Sequence, residues 1–99
     1  MQIHNWHNTL MNLNTFWQPM FLACFNQHNI NLITIKGEYQ WHQHDEGDKL
    51  FLVIEGEMHI DNAEGTHIVR AGELVIIPAK QAHHPRAPEY ARLLMIAQA

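Results

Sequence analysis

The sequence predicts an all-β fold, a small barrel or sandwich preceded by a short helix or turn. Helical spacing of apolar residues ends at Pro19, and short apolar runs then recur along the chain between turn-forming residues. Strands spaced about ten residues apart in this way are typical of barrels and sandwiches. A chain of 99 residues suits one domain with a modest core.

The segment before the strands is predicted to contain a short helix or turn over residues 8–16, with Thr9 as its cap. Its apolar side chains recur at helical spacing: Leu10, Leu13 and Phe16. We expect an N-terminal arm over residues 1–19 and a β-barrel over residues 20–99, within one domain overall.

Seven apolar runs are predicted to be strands, each bounded by turn residues. They are Phe21–Phe25, Ile30–Ile35, Leu50–Ile54, Met58–Ile60, Thr66–Val69, Leu74–Ile77 and Ala91–Ile96. Gly56 is expected to end the third run, and residues 61–65 to form a hairpin loop. Several runs are continuously apolar, which indicates strands covered on both faces. Since a barrel interior covers only one face, we expect the other to meet a partner subunit and predict a homodimer.

Composition excludes several classes of partner. The net charge is −4 and no basic stripe alternates with aromatic residues, so nucleic acid is not an expected partner. The apolar runs are too short to cross a bilayer. The N-terminus lacks the pattern of a secretory signal, and the single cysteine, Cys24, is expected to be a buried, unpaired thiol. These features favour a cytoplasmic protein.

The chain contains nine histidines, and His42-Gln43-His44 is the most informative group. Residues two apart in a strand point the same way, so both imidazoles can contact one cation. By itself this spacing is weak evidence in a histidine-rich chain. His59 and His67 flank the predicted hairpin loop and are expected to form a surface pair.

The wider context of His42-Gln43-His44 resembles the cupin superfamily. That family's first motif combines a glycine, His-x-His, a glutamate and a second glycine; its second combines a glycine, Pro-x-Gly and a histidine. The matching positions are Gly37, His42, His44 and Gly56, then Gly72, Pro78 and His83. The resemblance covers nearly the whole chain and is to the small single-domain cupins. It implies a double-stranded β-helix, or jelly roll, of the RmlC-like kind, with His42, His44 and His83 converging as metal ligands.

The sequence departs from the cupin pattern at three positions. Lys49 stands where the family usually has its ligand glutamate. Asp48 is the other allowed position, but a shift of one residue turns a side chain to the opposite face of a strand unless a bulge intervenes. Lys80 replaces the glycine of Pro-x-Gly, where a positive φ would be costly, and Ala87 replaces an asparagine.

Three neutral imidazoles suit a divalent transition metal: zinc, nickel, iron, manganese, cobalt or copper. In the alternative, the Lys49 ammonium takes the place of the cation and the histidines only bind a ligand or water. Gln40 shares its direction with His42, and we expect Gln40 and Lys49 to contact a small-molecule ligand. His84 should point away from His83 and is not an expected fourth ligand.

Two functions follow from this site. One is a binding module that holds a metal and a small molecule without converting it. The other is a metal-dependent enzyme, an oxygenase or isomerase, acting on a small organic or sugar substrate. Glu46, Asp48 and Lys49 are the nearest groups that could move protons. Because the glutamate is missing and no acid–base pair is evident, the sequence favours the binding module and assigns neither a catalytic residue nor an organic cofactor.

Overall fold

A computed structural model describes residues 1–99 as one short helix followed by six β-strands. The elements are α1 (Trp6–Met11), β1 (Met20–Phe25), β2 (His28–Glu38), β3 (Lys49–Asn62), β4 (Gly65–Arg70), β5 (Leu74–Ile77) and β6 (His84–Gln98). The predicted all-β barrel with a short N-terminal helix is confirmed. No helix has the length and apolar character needed to span a membrane.

The helix begins and ends earlier than predicted. Asn5, not Thr9, is its N-cap, because the Asn5 side chain accepts a hydrogen bond from the backbone N–H of Asn8. Thr9 lies within the helix, where its hydroxyl donates to the Asn5 carbonyl oxygen. Phe16, predicted on the same face as Leu10, lies beyond the helix and is exposed.

The strands form one antiparallel sheet in the order β1-β2-β6-β3-β4, with β5 paired to the first part of β3. The long strands β3 and β6 run side by side through its centre. Side chains on the inner face form the main core, with Val53, Met58 and Leu93 almost fully buried. This curled sheet positions the ends of its strands around a common interior.

Two predicted strands, Leu50–Ile54 and Met58–Ile60, are one strand, so Gly56 does not end it. Gly56 has φ +81° and lies where the pairing of β3 with β6 shifts, and a Cβ there would collide with the Tyr90 carbonyl oxygen. The predicted loop is also shorter, a two-residue turn of Ala63 and Glu64. The turn is tight because the Asn62 side chain accepts from the Glu64 N–H.

The outer face of the sheet is partly covered by the chain itself. Leu10 and Leu13 of the N-terminal segment pack on Leu32, together with Leu22, Ile54 and Leu94. The continuous apolar runs therefore have a partial explanation within one chain. Leu74 and Ile76 of β5 stay more than half exposed on this face, and the homodimer stays a prediction.

Two predictions about surface residues are wrong. Cys24 is exposed rather than buried, because β1 is an edge strand and the two residues at each of its ends are exposed to solvent. His59 and His67 do not form a pair, because the β3–β4 register places His59 opposite Ile68 and His67 opposite Ile60. Directly opposite residues share a face and neighbouring residues do not, so His59 and His67 lie on opposite faces of the sheet.

Asp61 is the centre of a polar network on the outer face. Its carboxylate accepts hydrogen bonds from Arg86 Nε (2.9 Å), the Thr66 hydroxyl (2.6 Å) and His84 Nδ1 (2.9 Å). The bonds from Arg86, then Thr66 and His84, hold the pKa of Asp61 well below its usual range. His84 is thereby turned away from His83, as the sequence predicts, and its ring stacks on Trp41.

We expect Asp61→Asn to destabilise the fold by about 1–2 kcal/mol at pH 7, because charge-assisted bonds to Arg86 are lost. The folded-state pKa of Asp61 lies below the unfolded value of 3.8. The contribution of the Asp61 carboxylate to the free energy of unfolding is therefore complete above the unfolded-state pKa, and it is lost as the pH falls through the folded-state pKa. Urea unfolding at pH 7 and at successively lower pH should show the gap between wild type and variant closing in acid. A gap that widened in acid would contradict this assignment.

Candidate metal centre

His42 and His44 lie in the extended segment between β2 and β3, and His83 lies just before β6. An isolated antiparallel bridge joins the two segments: His42 N–H donates to the His83 carbonyl oxygen (3.0 Å) and His83 N–H donates back (2.9 Å). One ring nitrogen from each of the three histidines falls within 4.8 Å of the other two. The structure thus brings together the three residues that the sequence singles out.

Backbone carbonyls fix the orientation of two of the rings. His42 Nδ1 lies 2.8 Å from the Gln40 carbonyl oxygen, and His83 Nδ1 lies 2.9 Å from that of Gln81. A carbonyl oxygen can only accept, so each Nδ1 carries the proton and each Nε2 presents a lone pair. A histidine held through one nitrogen in this way is oriented to bind a metal through the other.

The third ring completes the cluster. His44 Nε2 lies 3.1 Å from His42 Nε2, and His44 Nδ1 is buried without a hydrogen-bond partner. Burial first, then the positive charges of Lys49, His83 and His42, lowers the pKa of His44 to about 4, against a smaller opposing effect of Asp45. Burial also lowers the pKa of His83. Both rings are therefore neutral at pH 7, the form that binds metals.

Nitrogen donors of this kind fit a divalent transition metal. Backbone bonds at Nδ1 leave a lone pair on Nε2 of His42 and of His83, and the His44 ring lies against His42. No lysine or arginine side chain is hydrogen-bonded to these three rings. The three histidines are positioned to bind a metal ion.

The structure separates the two residues that compete for the glutamate position. Lys49 pairs with Ile77 and lies on the same face of β3 as the inward Phe51 and Val53. Asp48 is exposed and lies outside the histidine cluster; its carboxylate accepts from the Ala79 N–H (2.9 Å). Asp48 precedes the first residue of β3, and its bond to Ala79 holds its carboxylate away from the three rings.

Lys49 does not replace a cation by bonding to the histidines. No hydrogen bond joins its ammonium to any of the three rings, and His42 and His44 instead face each other. Burial lowers the pKa of Lys49. The alternative in which the ammonium takes the place of the cation lacks the contact that it would need.

A cavity of about 320 Å³ adjoins His42 and His44. It is lined mainly by apolar side chains, and both Gln40 and Lys49 reach it. The lining residues are Trp17, Pro19, Ile33, Ile35, Tyr39, Gln40, His42, His44, Lys49, Phe51, Met58, Pro85, Leu93 and Met95. No aspartate or glutamate is among them. A small, mostly apolar cavity with a few polar groups is typical of a small-molecule site.

The sequence assigns no role to Tyr39, which lines the cavity. Its ring meets the His42 ring edge-on, with 5.3 Å between the ring centroids. The Tyr39 ring stacks on Trp17, whose indole N–H donates to the Lys36 carbonyl oxygen (2.7 Å). Tyr39 follows the end of β2, where strand alternation no longer predicts direction, so no sequence pattern marks it.

Lys80 adopts the conformation that the missing glycine would favour. Its φ is +65°, and its N–H donates to the His44 carbonyl oxygen (2.7 Å). The turn is therefore preserved, and it ties the second motif to His44 at the cost of a left-handed lysine.

We expect Lys80→Gly to raise the free energy of unfolding by about 0.5–1 kcal/mol. Glycine relieves the strain of the left-handed conformation, and its greater flexibility in the unfolded chain offsets part of this gain. Lys80→Ala is the matched control, because it removes the charge but keeps the Cβ. Chemical denaturation of the three proteins checks this. Equal gains from alanine and glycine would contradict a backbone origin.

Comparisons with known proteins agree with this architecture. A family model described as "Cupin domain" matches residues 32–97. An uncharacterized protein of Bacillus subtilis (strain 168), YdbB, is 38% identical over 63 residues, which are 63% of this chain and 56% of that protein. The match thus spans little more than half the length of this relative.

Two solved structures are similar over nearly their whole length. A cupin-2 domain containing protein from Shewanella frigidimarina superposes with a TM-score of 0.93 at 29% identity, covering 96% of this chain and 93% of that one. Protein NMB1881 from Neisseria meningitidis superposes with a TM-score of 0.89 at 28% identity, covering 99% and 100%. With a matched family model, a curled antiparallel sheet and converging histidines, the chain belongs to the cupin family.

Proposed function

We propose that this protein binds one divalent transition metal ion through His42, His44 and His83 and holds a small-molecule ligand in the adjoining cavity. The observation that carries the proposal is the geometry of the rings, in which one nitrogen from each histidine lies within 4.8 Å of the other two. Backbone bonds at Nδ1 leave the Nε2 atoms of His42 and His83 free to face the ion. Zinc, nickel, iron, manganese, cobalt and copper all accept imidazole ligands. The ligand would contact Gln40 and Lys49 at the cavity wall.

The cavity supports binding rather than turnover. General acid–base catalysis needs a group that can give or take a proton close to the substrate. No carboxylate lines the cavity, Glu46 and Asp48 are exposed outside it, and Lys49, which does reach it, has no second acid or base of carboxylate type beside it there. An oxygenase or isomerase is therefore an outcome of the test rather than a second proposal.

The test uses tag-free protein, since an affinity tag of histidines would itself bind metal. Protein stripped with a chelator is dialysed against each metal in turn, and bound metal is measured by elemental analysis. The proposal expects one ion per chain for at least one metal, with no oxygen consumption or isomerisation by the loaded protein across a panel of small organic acids, thiols and sugars. Less than a tenth of an ion per chain for every metal would overturn metal binding, and sustained turnover would replace the binding module with an enzyme.

We also propose that two copies associate through the open part of the outer face. The register across β2, β6, β3 and β5 aligns two apolar rows on this part of the face: Ile30, Ile96, Leu50 and Ile76, then Leu52 and Leu74. Leu32 and Leu94 continue the second row where Leu10 and Leu13 cover it. Neither row contains a charged residue, so two copies could pair about a twofold axis without charge repulsion. Exposed apolar surface of this kind favours association.

We expect Ile76→Glu to convert a dimer to a monomer, because it places a charge in the exposed apolar surface of the paired face. Ile76 is 55% exposed in the single chain, so the change should leave the fold intact. Gln81→Glu, an exposed change away from this face, is the control. Light scattering after gel filtration gives the mass. A monomeric wild type, or a dimeric Ile76→Glu variant, would contradict this interface.

A further inference from the structure

Lys49 brings an unbalanced positive charge to the cavity beside the histidines. No aspartate, glutamate, arginine or other lysine lines this cavity. The Lys49 ammonium forms no ion pair and no side-chain hydrogen bond. A partly buried cation without a partner is unfavourable, so a bound anion would stabilise it.

The acidic residues nearest in sequence do not neutralise this charge. Asp45, Glu46 and Asp48 border a separate polar cavity of about 480 Å³ that Lys49 also touches. The Asp48 carboxylate accepts from the Ala79 N–H and that of Asp45 accepts from the Gln43 side chain, while none of the three pairs with Lys49. The side of Lys49 that faces the histidines therefore has no counter-charge.

The walls of the histidine cavity select the rest of the ligand. Ile33, Phe51 and Leu93 line its depth, and Trp17 and Tyr39 add aromatic surface. Eight of the fourteen lining residues are hydrophobic, so a fully hydrated ion such as inorganic phosphate would leave most of the wall without a partner. The volume of about 320 Å³ suits a small organic molecule.

We propose that the ligand is a small organic carboxylate, with its carboxylate group on Lys49 and its apolar body against Ile33, Phe51 and Leu93. The assignment deepens the proposed function and rests on it for the location of the ligand. A bound dication at the histidines would add positive charge on the same side of the cavity. Lys49, which stands where cupins usually have a glutamate, thereby changes the charge that the site accepts.

The test compares benzoate with benzamide, which has nearly the same shape and no charge. Binding to the chelator-stripped and the zinc-loaded protein is measured by calorimetry and by backbone amide shifts in NMR spectra. We expect benzoate to bind at least tenfold more tightly than benzamide, with shifts at cavity residues. Lys49→Met should remove this preference while Lys49→Arg retains it. Lys36→Met, an exposed change outside the cavity, should leave it unchanged.

The outcomes separate this inference from metal binding. Benzoate preference in the stripped protein, with no uptake of any of the six metals, would support the ligand class and overturn the metal. Stoichiometric zinc with equal affinities for benzoate and benzamide would overturn the ligand class alone. Tighter binding of inorganic phosphate than of benzoate, or a preference that survives Lys49→Met in a folded variant, would also overturn it.

Discussion

Replacement of His44 by alanine is expected to lower zinc affinity by at least 100-fold. The variant removes one of three ligands and leaves two imidazoles, and even changes behind the ligands typically cost 10–100-fold in metal affinity. Its stability should fall little, because the wild-type ring buries an Nδ1 atom that has no hydrogen-bond partner. Competition with a chromophoric chelator measures the affinity, and thermal unfolding of the metal-free protein measures the stability.

His67→Ala is the matched control for this experiment. His67 is exposed on β4, and its ring is hydrogen-bonded to the Asn62 side chain, away from the three clustered histidines. We expect it to bind zinc like the wild type. Equal affinities for the wild type and for His44→Ala would contradict the assignment of His44 as a ligand.

Lys49→Glu is expected to raise zinc affinity on the order of 100-fold, because it removes a positive charge beside the site and supplies an anionic oxygen. Lys49 faces inward on β3, so a glutamate there would point towards the same cavity as the histidines. Lys49→Met should give a smaller rise, since it removes the repulsion without adding a ligand. The same variant, Lys49→Glu, should bind benzoate more weakly than the wild type.

Lys36→Glu makes the same change of charge at an exposed site whose ammonium lies over the Phe16 ring, outside the cavity. We expect no change in zinc affinity for this control. A zinc affinity of Lys49→Glu equal to that of the wild type would contradict the proposal that position 49 acts on the metal site.

The convergence of the histidines could be anticipated from the spacing of the first two and from the resemblance to cupins, which implies the third. His42 and His44 lie two apart, and the motif around His83 fixes its distance from Gly72 and Pro78. The side of the strand on which Lys49 lies could not be predicted, because both faces of β3 are apolar and either direction would satisfy the pattern. Pairing with Ile77 of β5 determines it.

Other differences have a similar origin in contacts between distant segments. The fusion of two predicted strands into β3 follows from its pairing with β6, whose Tyr90 carbonyl passes close to Gly56. The apolar outer face near Leu32 is covered by Leu10 and Leu13, a contact that no local pattern displays. Cys24 is exposed because β1 is an edge strand, which depends on strand order rather than on hydropathy.

Anomalous diffraction from crystals grown with zinc and without chelator tests the metal centre most directly. The account predicts a single strong peak between His42, His44 and His83, about 2.0–2.1 Å from one nitrogen of each ring, with Nε2 as the ligand atom of His42 and His83. A peak at surface histidines alone, or none between these three rings at full zinc saturation, would contradict it.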